Sequence, residues 1–325
     1  MAGAAATLAI PGTASAAVGP AVLKNITVGN SPLGIGVNPC SDTVYVANTA
    51  ANTVSVINGR TDKVTATISV GTAPHGVAID WPADAVFVTN AASGTLSVIN
   101  GRTNKVSATI KVGAGPVGVA ADSLSDSIYV ANFLDNTVSV INGRTDEVTA
   151  TIKVGASPSA VAVNPATNTV YVTNSADSTV SVISGRTDEV TATIRTGGKP
   201  LEAAVNPATE RLYVTNADDN TVSVISGRTN EVTATIRVGA SPSGAAANPA
   251  APPVIGEVAV NPVTDRVYVA ATGGNTVAVI NGRANKVTRT FPTDAGPFGV
   301  AVNVRTGHLI VSDSGANEVQ DITVR

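Results

Sequence analysis

Cysteine is almost absent. Cys40 is the single copy in 325 residues, so no intrachain disulfide can form, and neither a cysteine zinc cluster nor a CxxCH haem site can be assembled. Histidine is nearly as scarce, with His75 and His308 the two copies. Aromatic residues make up 3%, and 20 Lys and Arg stand against 23 Asp and Glu, for a net charge of −3. Nucleic-acid binding wants a basic face and stacking rings, and both are missing. No apolar run approaches the ~18 residues that cross a bilayer, so no transmembrane segment is expected. Sustained helical periodicity is missing too, as are GxSxG, HExxH and phosphate-cradling motifs. No cofactor and no metal site are expected.

What is present is apolar and repetitive. Hydrophobic residues are 43% and charged residues 13%, enough to build a substantial core and too little charge for a disordered chain. The stretch TVSVINGRTDKVTATI at residues 53–68 returns with small changes at 95, 137, 179 and 221, and a worn copy stands at 276. Tyr45–Asn48 recurs as Phe87–Asn90, Tyr129–Asn132, Tyr171–Asn174 and Tyr213–Asn216, each 42 residues on. A sixth copy reads Tyr268–Ala271 and a seventh Leu309–Ser312, both without the Asn.

One period carries four strand signals. In the third they are Val117–Ala121, Ser127–Ala131, Thr137–Ile141 and Val148–Val154, rich in Val, Ile, Thr and Tyr and bounded by Gly, Pro, Asn or Asp. Asn142-Gly143 is expected to supply the positive-φ residues that reverse the chain between the last two. Four short antiparallel strands per period describe a β-propeller blade. The small residues of Gly76–Ile79 or Gly118–Ala121 suit the crowded innermost strand. Val22–Val28 resembles an outermost strand with no blade of its own, and the last period stops after three strands. Joined, they close an all-β ring of seven four-stranded blades and remove two exposed edges.

Residues 17–325 are therefore read as a single propeller. Of Asn248-Pro249 and Asn261-Pro262 only the second has the usual offset to the Tyr, so 243–255 is read as a duplicated fragment, an inserted loop. Residues 1–16 are read as an atypical signal peptide. The short apolar run Ala4–Ile10 and Ala14-Ser15-Ala16 fit one, although a basic start is missing. Secretion or a cell-surface position follows as the expected localisation.

Tyr-Val-Thr-Asn, then Thr-Val-Ser-Val-Ile, Val-x-Ala-Thr-Ile-x-Val-Gly and Pro-x-Gly-Val-Ala-Val-Asn-Pro together resemble the YVTN β-propeller repeat family over about residues 22–325. The resemblance implies seven blades and an exported or cell-surface, surface-layer-like protein of bacteria or archaea, in a family where many members have no assigned activity.

The links into the innermost strands share one face, the top, with the loops between second and third strands. The Asn-Pro and Gly-Arg-Thr turns share the bottom. Arg60, Arg102, Arg144, Arg186, Arg228 and Arg283 form a bottom ring, each expected near Asp62, Asn104, Asp146, Asp188, Asn230 or Asn285. The residues that end the innermost strands, such as Asn38 and Asp122, are read as Asx-turn residues, and the repeat's Asn as satisfying loop amides. At the top the copies disagree with one another, which suggests recognition there. Leu33, His75 and Phe298 are expected to form an apolar mouth, while Asp135, Asp177, Asp218, Asp219 and Glu202 make an acidic arc, with Phe133 on a neighbouring loop tip. The ligand-binding candidates are thus Leu33, His75, Phe133, Asp135, Asp218, Asp219 and Phe298. An exported binding or scaffold module follows, with an extracellular protein, glycan or small molecule as partner. One alternative is a lactonase- or lyase-like enzyme using His75, Glu202 and Asp122 across the mouth, though the His and carboxylate sets of such propellers have no counterpart here. The other is a structural surface-layer component.

Overall fold

The third period shows how the repeat becomes a blade. Val, Ile, Thr and Tyr fill strands Pro116–Asp122, Ser127–Asn132, Thr137–Asn142 and Glu147–Lys153, hydrogen-bonded in that order as one antiparallel sheet. The two middle strands are buried almost end to end, whereas the outermost buries only Ile152. That pattern belongs to a sheet covered on both faces near the axis and open at its rim. The computed structural model describes residues 20–247 and 265–324, and these residues hold seven such four-stranded sheets. The expected leader lies outside them.

The core is divided among the gaps between blades. Tyr129 of the third blade packs with Val161, Val170, Val172 and Ile183 of the fourth. Equivalent clusters fill the other six gaps, so no blade is covered without its neighbours. The ring closes as the chain ends required. Ala21–Thr27 is the outermost strand of the seventh blade, antiparallel to Glu318–Thr323, with Ile26 opposite Val319.

Three local readings are corrected by the structure. The Asn-Gly pair is not the reversing element: each turn is longer, and its left-handed residue is Asp62, Asn104, Asp146, Asp188, Asn230 or Asn285. Asn and Asp tolerate that conformation. The preceding strand's last side chain holds the loop, as when Asn142 Oδ1 accepts from the amides of Arg144 and Thr145 at 2.9 and 3.2 Å. Second, the seventh repeat is out of register by one residue. Asp313 pairs with Glu318 as Asn48 pairs with Thr53, so the copy is Ile310-Val-Ser-Asp313, and Asp313 rather than Ser312 replaces the Asn. Third, Pro242–Ala247 is the innermost strand of the sixth blade, paired with Arg266–Ala271, so the expected insertion does not begin at 243. From residue 248 the insertion lies outside the described residues.

Candidate functional site

Each innermost strand starts at a proline and then bulges. Pro74 pairs with Asn90, but the next pair is Val77 with Val88, so His75 and Gly76 together face Thr89. The other described blades repeat this shift at the same place. A bulge leaves an amide unpaired and re-aims side chains. The repeat's Thr satisfies that amide: Thr89 Oγ1 accepts from Gly76 N at 2.8 Å and donates to Val117 O of the next blade at 2.7 Å. Thr215 likewise receives Glu202 N at 3.0 Å, and Ser312 holds Gly299 N and donates to Leu33 O. This role of the third motif residue is not visible in the sequence, because both partners lie on other strands.

The bulges put seven equivalent positions around the axis: Gly34, Gly76, Gly118, Ala160, Glu202, Gly244 and Gly299. Backbones crowd there, and a Cβ on Gly118 would stand 2.6 Å from the carbonyl oxygen of Ser159 in the next blade. Glu202 is the one long side chain in this set, and it lines an axial cavity of about 120 Å³ together with His75 and Phe298. The His75 and Phe298 rings meet edge to face, 5.9 Å between centroids. All three are partly open to solvent through the mouth. Burial pushes the Glu202 carboxyl up to about 8, against the Ala203 amide, which pulls it down. Burial pushes His75 down to about 4. Burial thus biases the mouth toward a protonated carboxyl and an uncharged imidazole.

The other expected site residues do not converge on this cavity. Leu33 lies beside the mouth without lining it. Asp122 is not a mouth residue. It ends its strand at the opposite face, buried, where its Oδ1 accepts from Leu124 N at 3.0 Å in the Asx-turn role. The acidic arc is mostly structural: Asp135, Asp177 and Asp219 each accept from a link amide 21 residues earlier, those of Ala114, Ala156 and Gly198, at 2.6, 2.6 and 2.7 Å. Asp218 is exposed and Phe133 half-buried on the outer rim. His308 is far from His75 in the fold, paired with Asp321 at 3.0 Å within the seventh blade. Among the described residues no group of three or more His, Cys, Asp and Glu side chains is placed to hold a metal ion, and no helix is long and apolar enough to cross a membrane.

On the bottom face four of the six ring arginines are paired internally. Arg60, Arg102, Arg144 and Arg228 pair with Asp42, Asp84, Asp126 and Glu210 of the adjacent turn, not with the residue two positions on. Pairs made by exposed arginines such as Arg102, Arg144 and Arg228 contribute about 0–1 kcal/mol each. The Asx residues join blades there: Asn38 donates to Asp84, Asn206 to Asp265, and Asn303 to Asp42 across the closure, at 2.8, 2.8 and 2.6 Å. The repeat's Asn does not serve loop amides. Its Nδ2 donates to two hydroxyls of the facing strand, Thr137 and Ser139 for Asn132, at 3.0 and 2.9 Å.

Comparison with known proteins agrees with this geometry. A profile of the YNCE-like beta-propeller family matches residues 1–120, 113–196 and 156–251. Among solved structures, Kuenenia stuttgartiensis hydrazine synthase superposes with a TM-score of 0.78 at 18% identity, over 92% of this chain and 97% of that one. At that identity the likeness is one of fold. No curated protein matches.

Proposed function

The chain belongs to the YNCE-like β-propeller family, and from that premise we propose that it is an exported, YVTN-type binding module that recognises its partner at the top face, through the axial mouth. The observation that carries this reading is the gathering of Glu202, His75 and Phe298 on one cavity, while Asp135, Asp177 and Asp219 of the rim are spent on holding loops. A rigid closed ring offers a preorganised concave site with few polar groups, the usual form of a small-ligand pocket. Export is supported by the apolar Ala4–Ile10 run and the small residues at 14–16.

An enzymatic reading has one observation in its favour. Burial biases Glu202 and His75 toward opposite protonation, and such pairs serve as acid and base. Binding is preferred because, among the described residues that line the cavity, no Ser, Thr, Cys or Lys stands with them. A thermal-shift screen of the protein against glycans, peptides, amines and lactones, repeated with Phe298→Ala, separates the readings. A ligand at about a hundred times its Kd adds about 2.7 kcal/mol of stability. The expected result is a stabilising ligand whose shift is lost in the variant. Turnover of a lactone would replace binding by catalysis, and a shift kept in Phe298→Ala but lost in Phe133→Ala would move recognition to the outer rim.

A further inference from the structure

Glu202 is an expensive residue where it stands. Six of the seven equivalent axial positions are Gly or Ala, and the backbone there closes without any long side chain. The carboxyl has the Ala203 amide beside it, and among the described residues no Lys or Arg lines the cavity. Among the described residues, His75 is the only other titratable group on its walls. A carboxylate enclosed without a counter-charge costs stability unless something else neutralises it.

Resting on the reading that the mouth is the binding site, we propose that the axial cavity takes a small organic cation, an alkylammonium head group, which pairs with the Glu202 carboxylate against the Phe298 ring. The parts match that chemistry. An ammonium supplies the missing positive charge and has N–H donors to spare for the imidazole nitrogen, and an aromatic face attracts it. His75 stays neutral, because burial holds its pKa at about 4, and adds no repulsion. About 120 Å³ leaves room for a small head group at the mouth. An anion finds no positive partner among the described residues of these walls. A neutral carbonyl ligand would instead need Glu202 to keep its proton and donate it as a hydrogen bond.

The cation and the neutral ligand therefore depend on pH in opposite senses. Cation binding displaces the Glu202 proton. Its affinity rises about tenfold per pH unit below 8, where the free carboxyl is protonated, and levels off above. Binding through a donated proton weakens as pH rises past the same point. The test is calorimetric titration of the full chain with methylammonium and with acetamide between pH 6 and 9, in two buffers of different ionisation enthalpy.

The expected result is methylammonium binding with one proton released per cation at pH 7, and at least a tenfold loss in Glu202→Gln. Nα-acetyl-lysine amide is the second arm. Binding tighter than methylammonium identifies a lysine side chain of a protein partner as the natural source, and weaker binding a free amine. Acetamide binding that weakens above pH 8, with no methylammonium binding, overturns the proposal and leaves the mouth as a ligand site. Neither binding overturns the proposal as well, and whether any other ligand shifts the melting temperature then decides the broader reading. The wild-type pH slope needs no variant, so a poorly folded Glu202→Gln does not stop the test.

Discussion

Asp313 occupies, in the seventh blade, the place of an asparagine in the first five. Asn132 there donates through Nδ2 to Thr137 and Ser139. Asp313 has no such donor when ionised, and its cross-strand neighbour is Glu318 instead of a threonine. Both its carboxyl oxygens are buried with no hydrogen-bond partner among the described residues. Desolvation, with Asp294 and Glu318 adding repulsion, pushes its pKa up to about 7 from 3.8. The Gln320 amide nearby is engaged by Asp294 at 2.9 Å. A raised carboxyl pKa means the folded state keeps a proton that the unfolded chain releases. Asp313 therefore lowers stability progressively as pH rises from about 4 to about 7, and the loss is complete above. Asp321, also raised, acts in the same direction and leaves a residual slope. Asp313→Asn should raise stability at pH 8 by about 1–3 kcal/mol and do almost nothing at pH 4. Urea melts at the two pH values decide it, and an equal gain at both would mean that ionisation is not the cause.

Within a blade, the repeat's Asn works as a set with two hydroxyls, and the sixth blade shows what happens when the set is dissolved. There Ala271 replaces the Asn and Ala278 the second hydroxyl residue, so both partners have gone together. Losing one partner strands the other in a buried place, while losing both leaves less unsatisfied. Asn132→Ala should cost about 1–2 kcal/mol in the third blade, and Asn132→Ala with Ser139→Ala should cost less than the sum by at least about 0.5 kcal/mol. Strict additivity in denaturation midpoints would show that the hydroxyl and amide do not act as a pair. The same blades explain what was readable beforehand. Strand positions follow from Val-x-Val-Ile patterns and turn residues, which are local signals. The register of the seventh blade was not readable, because Leu309, Ile310 and Val311 are all apolar and align either way without a Tyr. The rim acids looked like a charged arc because sequence shows charge and not the amide 21 residues back that consumes it. His75 and Phe298 were readable as variable positions after a proline. Glu202 needed the bulge and the ring to reveal that it stands among glycines.

Around the ring, every gap between blades is a small core, so stability depends on keeping all seven closed. One joint is made from both chain ends, where the outermost strand of the seventh blade is contributed by Ala21–Thr27. Ile26 of that strand is buried with Val44, Val46 and Ile57 of the first blade and with Ile310 and Val319 of the seventh. Asn25 ties the same strand to Asp294 at 2.9 Å, and Val28 N donates to Asn317 O at 3.1 Å just beyond it. Removing residues 1–27 takes away this strand and uncovers the ladder edge of Glu318–Thr323, an open template for association. Loss of one buried isoleucine costs about 1.5–3 kcal/mol, and the lost ladder bonds add about 0.5–1.5 kcal/mol each. A drop in Tm of about 10 °C or more is therefore expected, at about 2–4 °C per kcal/mol for a chain of this size or somewhat smaller. Truncation alone does not prove closure, because any shortened protein can melt early. A peptide of residues 21–28 added in trans supplies the distinguishing result, since strand addition to an open edge restores the missing ladder and the isoleucine together. Recovery of Tm with that peptide, and none with the same peptide carrying Ile26→Asp, is the outcome that the closed ring requires. Equal recovery with both would reduce the joint to backbone pairing and remove the seventh core from the account of stability.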